Sequence, residues 1–183
     1  MSIKKTKNEQ NLLFYFLTAL LFLGFISFSC SKNPQNPSTT EQEKSVLLKE
    51  FGAEPMVFNI DDYTMSNDNF RIALWTGSKL QMTLMSISVN GEIGLEQHLE
   101  TDQFLRIEDG EAQVMMGDTE ESLNFIQHAE KDFAIIIPAG KWHNIINTGD
   151  KPLKLYSIYA PSEHPYATVH KTFEEAEEAE HHQ

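Results

Sequence analysis

The sequence contains a single cysteine among its 183 residues. One cysteine cannot form an intrachain disulfide, so the fold has to be stabilised by its core or by a bound metal ion. Basic side chains are also scarce, because 14 lysines and arginines stand against 27 aspartates and glutamates, a formal net charge of −13. Such a chain repels phosphate backbones, which argues against nucleic acid as a partner and favours solubility.

Long apolar runs are rare as well, and the longest lies near the N-terminus. It covers residues 12–28 and follows several lysines, an order that is typical of a bacterial export signal. Ser29 and Cys30 come next, which predicts cleavage between them and lipidation of Cys30. The segment resembles a lipoprotein signal, although Ser27 and Phe28 stand where Leu and a small residue are usual. Residues 1–29 are therefore predicted to be a signal peptide.

Lipidation at Cys30 would anchor the mature chain, because each buried CH₂ of an acyl chain contributes roughly 0.8 kcal/mol to membrane binding. The alternative is an uncleaved transmembrane anchor, which the apolar run barely permits since a span needs about 20 apolar residues. Both interpretations place the rest of the chain outside the cytoplasm. We therefore predict a periplasmic or cell-envelope lipoprotein that contacts the membrane through Cys30.

The remaining sequence divides into three parts. Residues 30–45 are rich in Asn, Pro, Gln, Ser and Thr, a composition that predicts a flexible linker. Residues 46–165 have the size of one domain. Residues 166–183 form an acidic, histidine-rich tail, in which residues 173–180 read FEEAEEAE. These eight residues would form a short helix capped by Thr172, or else a solvated face or frayed tail, and we favour the second alternative.

The central part has the pattern of an all-β domain. Apolar and polar residues alternate with a period of two in residues 80–89, 104–108, 133–137 and 153–159. Turn signals separate these segments at Asn90-Gly91, Asp109-Gly110, Gly117-Asp118, Pro138-Ala139-Gly140 and Gly149-Asp150. Short strands at this spacing, without helical segments between them, predict a β-sandwich or barrel.

Several potential metal ligands lie in the stretches between these segments. Glu96 and His98 are two residues apart, so on a strand their side chains share one face. Gln103 opens the next strand, from which its carbonyl oxygen would reach the same pocket. A Pro-Ala-Gly turn precedes His143, which would share a strand face with Asn147. Two imidazoles, one carboxylate and one amide oxygen suit Fe(II), Mn(II), Ni(II) or Zn(II).

These residues resemble the two motifs of the cupin superfamily. Residues 138–147 contain the Pro-x-Gly turn, histidine and asparagine of the second motif, with Asp132 in place of its usual leading glycine. The first motif is looser, because Glu96 replaces its first histidine and Gln103 its usual glutamate. The resemblance covers residues 68–171 and is strongest to small single-domain cupins of a mannose-6-phosphate isomerase-like subgroup.

The resemblance implies an all-β double-stranded β-helix, followed here by a short C-terminal helix or tail, and a homodimer. It also implies one metal ion bound by Glu96, His98, Gln103 and His143. Two histidines and one carboxylate make up the facial triad of non-haem Fe(II) oxygenases. The alternatives are two hydrogen-bonded histidines without metal, and a Gln103 that only orients a water.

The functional hypothesis is a metalloenzyme that acts on a small molecule, of oxygenase type or similar to sugar isomerases and epimerases. An isomerase needs a base beside the metal, and the sequence places no second carboxylate in the pocket once Glu96 is a ligand, which favours the oxygenase type. The alternative is a non-catalytic, metal-dependent module that binds a small molecule or carbohydrate. A third reading is a metal-stabilised structural domain. No catalytic residue is assigned.

Other side chains have simpler interpretations. Asn147 is expected to fix the backbone at the barrel rim, Trp142 to belong to the core, and Arg106 to be solvated or salt-bridged. Tyr156 and Tyr159 are expected either in the pocket or packed on the sheet. The C-terminal histidines could form a second metal site; they are His164, His170, His181 and His182. Apart from that possibility, they and His128 are left without an assigned role.

Overall fold

The computed structural model describes residues 46–180. The predicted signal peptide, the lipidation site Cys30, the linker, and two of the C-terminal histidines, His181 and His182, lie outside the described residues. Within the described part, no helix has the length and apolar character that crossing a membrane would require.

Two antiparallel sheets make up most of this region. The larger has the strand order β10-β1-β2-β9-β4-β7 and the smaller the order β3-β8-β5-β6. In chain order the elements are α1 (Ile60–Ser66), β1 (Arg71–Thr76), β2 (Gln81–Ile87), β3 (Glu96–Gln97), β4 (Asp102–Asp109), β5 (Glu111–Gly117), β6 (Phe125–Glu130), β7 (Ala134–Ile137), β8 (Trp142–Asn147), β9 (Leu153–Ala160), β10 (Val169–His170) and α2 (Phe173–Glu180).

The main core contains side chains from both sheets. Alternate residues of each strand point inward, so Leu105 and Ile107 of β4 join Ile145 of β8 and Leu155 of β9 in one buried cluster. The predicted strands correspond to β2, β4, β7, β8 and β9. The mainly β architecture expected from the period-two pattern is therefore confirmed.

A second apolar cluster contains residues of β1 and β2 together with the segment that precedes them. Ile72 and Leu84 are buried there, with Phe51, Phe58 and Tyr63 packed against them. Tyr63 lies on α1, a helix that the sequence analysis did not predict. The segment before β1 is thus part of the folded domain.

The C-terminal segment is also part of the domain. Strand β10 pairs with β1, and Thr172 Oγ1 accepts a hydrogen bond from the backbone N–H of Glu175 at 3.3 Å, so the capped helix is present. Ala176 of α2 is buried, and the ring of Phe173 packs edge-on against Phe70 at 5.6 Å. The favoured expectation of a solvated, frayed tail is wrong, because this helix has an apolar face that the core covers.

Candidate metal centre

Three potential ligands converge where β3 meets β8. Glu96 and His143 are directly opposite each other in this antiparallel pair. His143 Nε2 lies 3.2 Å from Glu96 Oε1, and His98 Nε2 lies 3.3 Å from the same oxygen. The three ligand atoms are all within 4.8 Å of one another. The structure therefore brings together three of the four predicted ligands around one carboxylate oxygen.

The predicted Pro-Ala-Gly turn holds β3 against the start of β8. Gly140 adopts a φ of +80°, which glycine tolerates without the strain of a side chain. Its N–H donates to the carbonyl of His98 at 2.7 Å, and its own carbonyl accepts from Gln97 Nε2 at 2.9 Å. These bonds fix the backbone that carries His98 and Glu96 relative to that of His143.

The far ring nitrogen of each histidine is also held. His98 Nδ1 donates to Glu163 Oε1 at 3.0 Å, and His143 Nδ1 donates to the carbonyl oxygen of Lys141 at 3.0 Å. Both rings thus carry a proton on Nδ1 when neutral, which leaves the lone pair of each Nε2 directed at Glu96. Outer partners of this kind orient metal-binding histidines in many proteins.

The ring and carboxylate atoms that face one another in this cluster suit a bound cation. With Nδ1 protonated, two Nε2 lone pairs and a carboxylate oxygen face one another, an arrangement that needs a positive charge between them. Ligand atoms about 2.1 Å from one ion lie about 3.0 to 3.4 Å apart at right-angled to tetrahedral geometry. The observed separations of 3.2 and 3.3 Å match that range. Glu96, His98 and His143 therefore fit a divalent metal ion.

The same contacts shift two ionisation equilibria of the metal-free cluster. Burial acts to raise the pKa of Glu96, but its close contacts with His143 and His98 and the charge of Arg71 outweigh it, so this pKa lies well below its ordinary value. Burial acts to lower the pKa of His98, yet the hydrogen bonds to Glu163 and Glu96 raise it to about 9. Glu96 is therefore ionised and His98 is an imidazolium at neutral pH.

Gln103 is a buried residue of β4. It lies opposite Tyr159 in the β4–β9 pair, and the ring of Tyr159 packs edge-on against that of His98 at 5.6 Å. Gln103 Nε2 donates to Ser157 Oγ at 3.0 Å, which orients the amide. Its Oε1 is buried and has no hydrogen-bond partner among residues 46–180. A buried amide oxygen in this state is available to a cation, as the predicted fourth ligand requires.

Two residues of the cluster, Glu96 and His98, line a cavity of about 670 Å³, whereas His143 is fully buried. Further residues of the wall come from β8, from the segment after β9 and from α2, and include Trp142, Glu163, His164, Thr168, His170 and Glu180. Another cavity, of about 640 Å³, has Phe70 and Glu92 in its wall but no histidine. Among the described residues, metal binding is therefore expected in the cavity of about 670 Å³.

Two sequence-based expectations about this cavity are wrong. Trp142 is partly exposed and lines the cavity instead of belonging to the core, because it stands at the first position of β8 beside the opening. Glu163 is a second carboxylate in the pocket, and it was missed because it follows the last predicted strand and matches no motif. The structure also adds Arg71 of β1, whose guanidinium lies 3.8 Å from Glu96 Oε2.

The other assignments agree with the structure. Asn147 fixes the backbone, since its Nδ2 donates to the carbonyls of Ile87, Ser88 and Lys151. Arg106 is salt-bridged to Glu108 and Asp132. Tyr156 packs on the sheet beside Phe104, Tyr159 lies against His98, and His164 and His170 line the cavity of about 670 Å³.

Comparison with known proteins identifies the family. Residues 83–159 match the cupin domain family. The uncharacterized protein YrkC of Bacillus subtilis (strain 168) is 52% identical over 139 residues, which cover 76% of this chain and 75% of YrkC. The chain belongs to the cupin superfamily. This cupin is also 54% identical to BH2720 of Bacillus halodurans, whose crystal structure superposes with a TM-score of 0.70 over 71% of this chain and 98% of BH2720.

A more distant structure agrees on the fold alone. An uncharacterized conserved protein of Klebsiella pneumoniae with a double-stranded β-helix domain is 18% identical, with a TM-score of 0.50 over 65% of this cupin and 100% of that protein. The predicted double-stranded β-helix with a short C-terminal helix is therefore confirmed.

Proposed function

We propose that this cupin is a metalloenzyme that binds one divalent ion, Fe, Mn, Ni or Zn, and acts on a small molecule in the cavity beside it. Glu96, His98 and His143 would hold the ion, and Gln103 would be a weaker fourth ligand. One observation carries the proposal: both histidines are fixed through Nδ1, so that both Nε2 atoms face the same carboxylate oxygen.

The residues present favour oxygenase-type chemistry over sugar isomerisation or epimerisation. A bound divalent ion with open coordination positions supplies Lewis acidity or activates dioxygen. Two histidines and one carboxylate are the usual protein ligands of ions that activate dioxygen. An isomerase needs a base that can take a proton from substrate. Glu163 lies in the cavity, but it accepts hydrogen bonds from His98 and Thr101 and therefore acts on the orientation of His98.

A second candidate function is a non-catalytic module that binds a small molecule or carbohydrate with the help of the metal. The three carboxylates of the cavity wall are all engaged: Glu96 by the two histidines, Glu163 by His98, and Glu180 by Arg71. A site whose carboxylates are all paired is suited to holding a ligand in place. Turnover of a bound small molecule by the metal-loaded protein would favour the enzyme over the module.

The metal site is tested by elemental analysis of the purified protein and of single alanine variants. We expect about one equivalent of metal, its loss in His98→Ala and His143→Ala, and a smaller reduction in Gln103→Ala. Metal bound only to the folded state stabilises it by mass action, so the first two variants should also melt at lower temperature. The matched control is His128→Ala, which changes an exposed histidine of β6. Full metal retention in the double histidine variant contradicts the site.

For location, we propose export and lipidation at Cys30, with the domain held at the outer side of the cytoplasmic membrane. The support is the order of lysines, apolar run, Ser29 and Cys30 at the N-terminus. Labelled fatty acid should enter the wild-type chain and not Cys30→Ser. Equal labelling of both chains contradicts the proposal.

A further inference from the structure

The ligand class can be inferred from a buried arginine beside the proposed metal site. Resting on that site, we propose that the cavity binds a small hydroxy acid whose carboxylate replaces the carboxylate of Glu180 on the guanidinium of Arg71. The hydroxyl or carbonyl oxygens of this ligand would then lie between the metal ligands and the histidines of the C-terminal segment.

Arg71 is a buried cation with few partners. Its side chain is 1% exposed; Nη1 donates to Glu180 Oε1 at 3.2 Å, and Nη2 lies 3.8 Å from Glu96 Oε2. Its Nε is buried without a hydrogen-bond partner among the described residues. A guanidinium offers five N–H donors in a planar fork that suits a carboxylate bound through both oxygens. Arg71 therefore retains unused capacity for such a group.

Glu180 is the carboxylate that contacts Arg71 in the structure, and its exposure allows a ligand carboxylate to replace it. It lies on α2 at the cavity wall, and its side chain is 45% exposed although the arginine it contacts is buried. The contact uses a single N–H of Arg71. Rotation of the Glu180 side chain into solvent would open the guanidinium to the cavity, and a carboxylate bound there would have two donors instead of one.

Two histidines provide neutral hydrogen-bonding groups in the same cavity. His164 Nε2 and His170 Nδ1 are buried and have no hydrogen-bond partner within residues 46–180. Burial and the charge of Arg71 lower the pKa of His164 to about 3, and the same causes lower the pKa of His170. A neutral imidazole has one donor and one acceptor nitrogen, which suits hydroxyl or carbonyl oxygens of a ligand.

The charges of the wall favour a carboxylate over a phosphate. Glu96, Glu163 and Glu180 line the cavity, whereas no lysine or arginine does, and Arg71 lies behind Glu96 and Glu180 within the described region. Three carboxylates in the wall repel a phosphate dianion more strongly than a carboxylate monoanion. A volume of about 670 Å³ is within the range for small-molecule sites.

The test measures binding of gluconate by calorimetry to the metal-loaded and the metal-free protein, with glucose and inorganic phosphate as comparison ligands. In Glu180→Gln the internal carboxylate is removed, and we expect gluconate to bind about five-fold more tightly than to wild type. The matched control Glu178→Gln removes the same charge from an exposed position of α2 and should leave the affinity unchanged. Arg71→Met should abolish gluconate binding.

The outcomes separate this inference from the proposed function. Absent gluconate binding in Glu180→Gln, equal tightening in Glu178→Gln, or glucose binding as tightly as gluconate would each overturn the hydroxy-acid site. Tighter binding of phosphate than of gluconate would overturn the carboxylate assignment. A wild-type protein that takes up no metal contradicts the proposed function alone, because the comparison of Glu180→Gln with Glu178→Gln remains decisive in metal-free protein.

Discussion

Metal binding to this cupin should release a proton from His98. In metal-free protein the pKa of His98 is raised to about 9 by its hydrogen bonds to Glu163 and Glu96. At pH 7, two units lower, the ring is about 99% protonated. An imidazolium cannot ligate a metal, so we expect about one proton to be released per metal ion bound at pH 7. At pH 9.5 only about a quarter of the His98 rings are protonated, so about 0.25 proton should be released per ion. Between these values the apparent affinity should rise about ten-fold per pH unit until it levels off near pH 9.

Glu163→Gln tests the cause of this behaviour. The amide keeps an acceptor for His98 Nδ1 but removes the negative charge, so the pKa of His98 should fall and less proton should be released at pH 8. Loss of such an outer partner typically reduces metal affinity about 10- to 100-fold, or about 1.4 to 2.7 kcal/mol. Because the lower pKa of His98 offsets part of this loss at pH 7, the reduction should be larger above pH 9.

The assay is metal titration by calorimetry in two buffers of different ionisation enthalpy, with a competing chelator at the higher pH. The control Glu100→Gln removes an exposed carboxylate two residues after His98 and should behave as wild type. Release of less than about a tenth of a proton at pH 7, or a Glu163→Gln profile that matches wild type, would refute the role assigned to His98 and Glu163.

Three further predictions concern stability. The pKa of His98 is raised in the folded state, so this residue stabilises the metal-free protein fully below its unfolded pKa of about 6.5. This stabilisation is lost as the pH rises through about 9. Melting temperatures of the metal-free protein that rise between these two pH values would contradict the prediction. Asn147→Ala leaves buried carbonyls without a donor and should cost about 1 to 3 kcal/mol in urea unfolding, with metal stoichiometry retained. Phe173→Ala removes a half-buried ring from the core and should cost about 2 kcal/mol, roughly half of a fully buried phenylalanine; an unchanged urea midpoint would show that α2 does not stabilise the domain.

The cluster of Glu96, His98 and His143 was largely predictable because its residues obey local rules. A turn containing proline and glycine followed by a strand of period two places His143 and Asn147 on one face, and both are buried in the structure. The same period unites Glu96 with His98. Each of these predictions needs only the number of residues between two side chains on the same strand. The resemblance to the cupin motifs supplies the information about which strands pair.

The rest of the cavity depends on pairings between distant segments, which local patterns do not contain. Arg71 lies in a strand where its neighbours Phe70, Ile72 and Ala73 are all buried, so the strand has no period that marks one face. Glu163 follows the last strand of the pattern in an irregular segment. The acidic composition of α2 concealed its docking, because only two apolar residues of the helix, Phe173 and Ala176, are part of the main core cluster.

The pairing of β1 with β10 places the segment after β9 beside this cavity. The cluster joins Glu96 to His143 over 47 residues of chain, whereas Arg71 meets Glu180 over 109 residues. Loop-closure entropy makes the longer span only about 0.7 kcal/mol more costly. Every proposed metal ligand precedes the end of β9 in the chain, whereas Glu163, His164, His170 and Glu180 follow it. The residues after β9 can therefore change which small molecule the cavity admits while the proposed metal ligands stay the same.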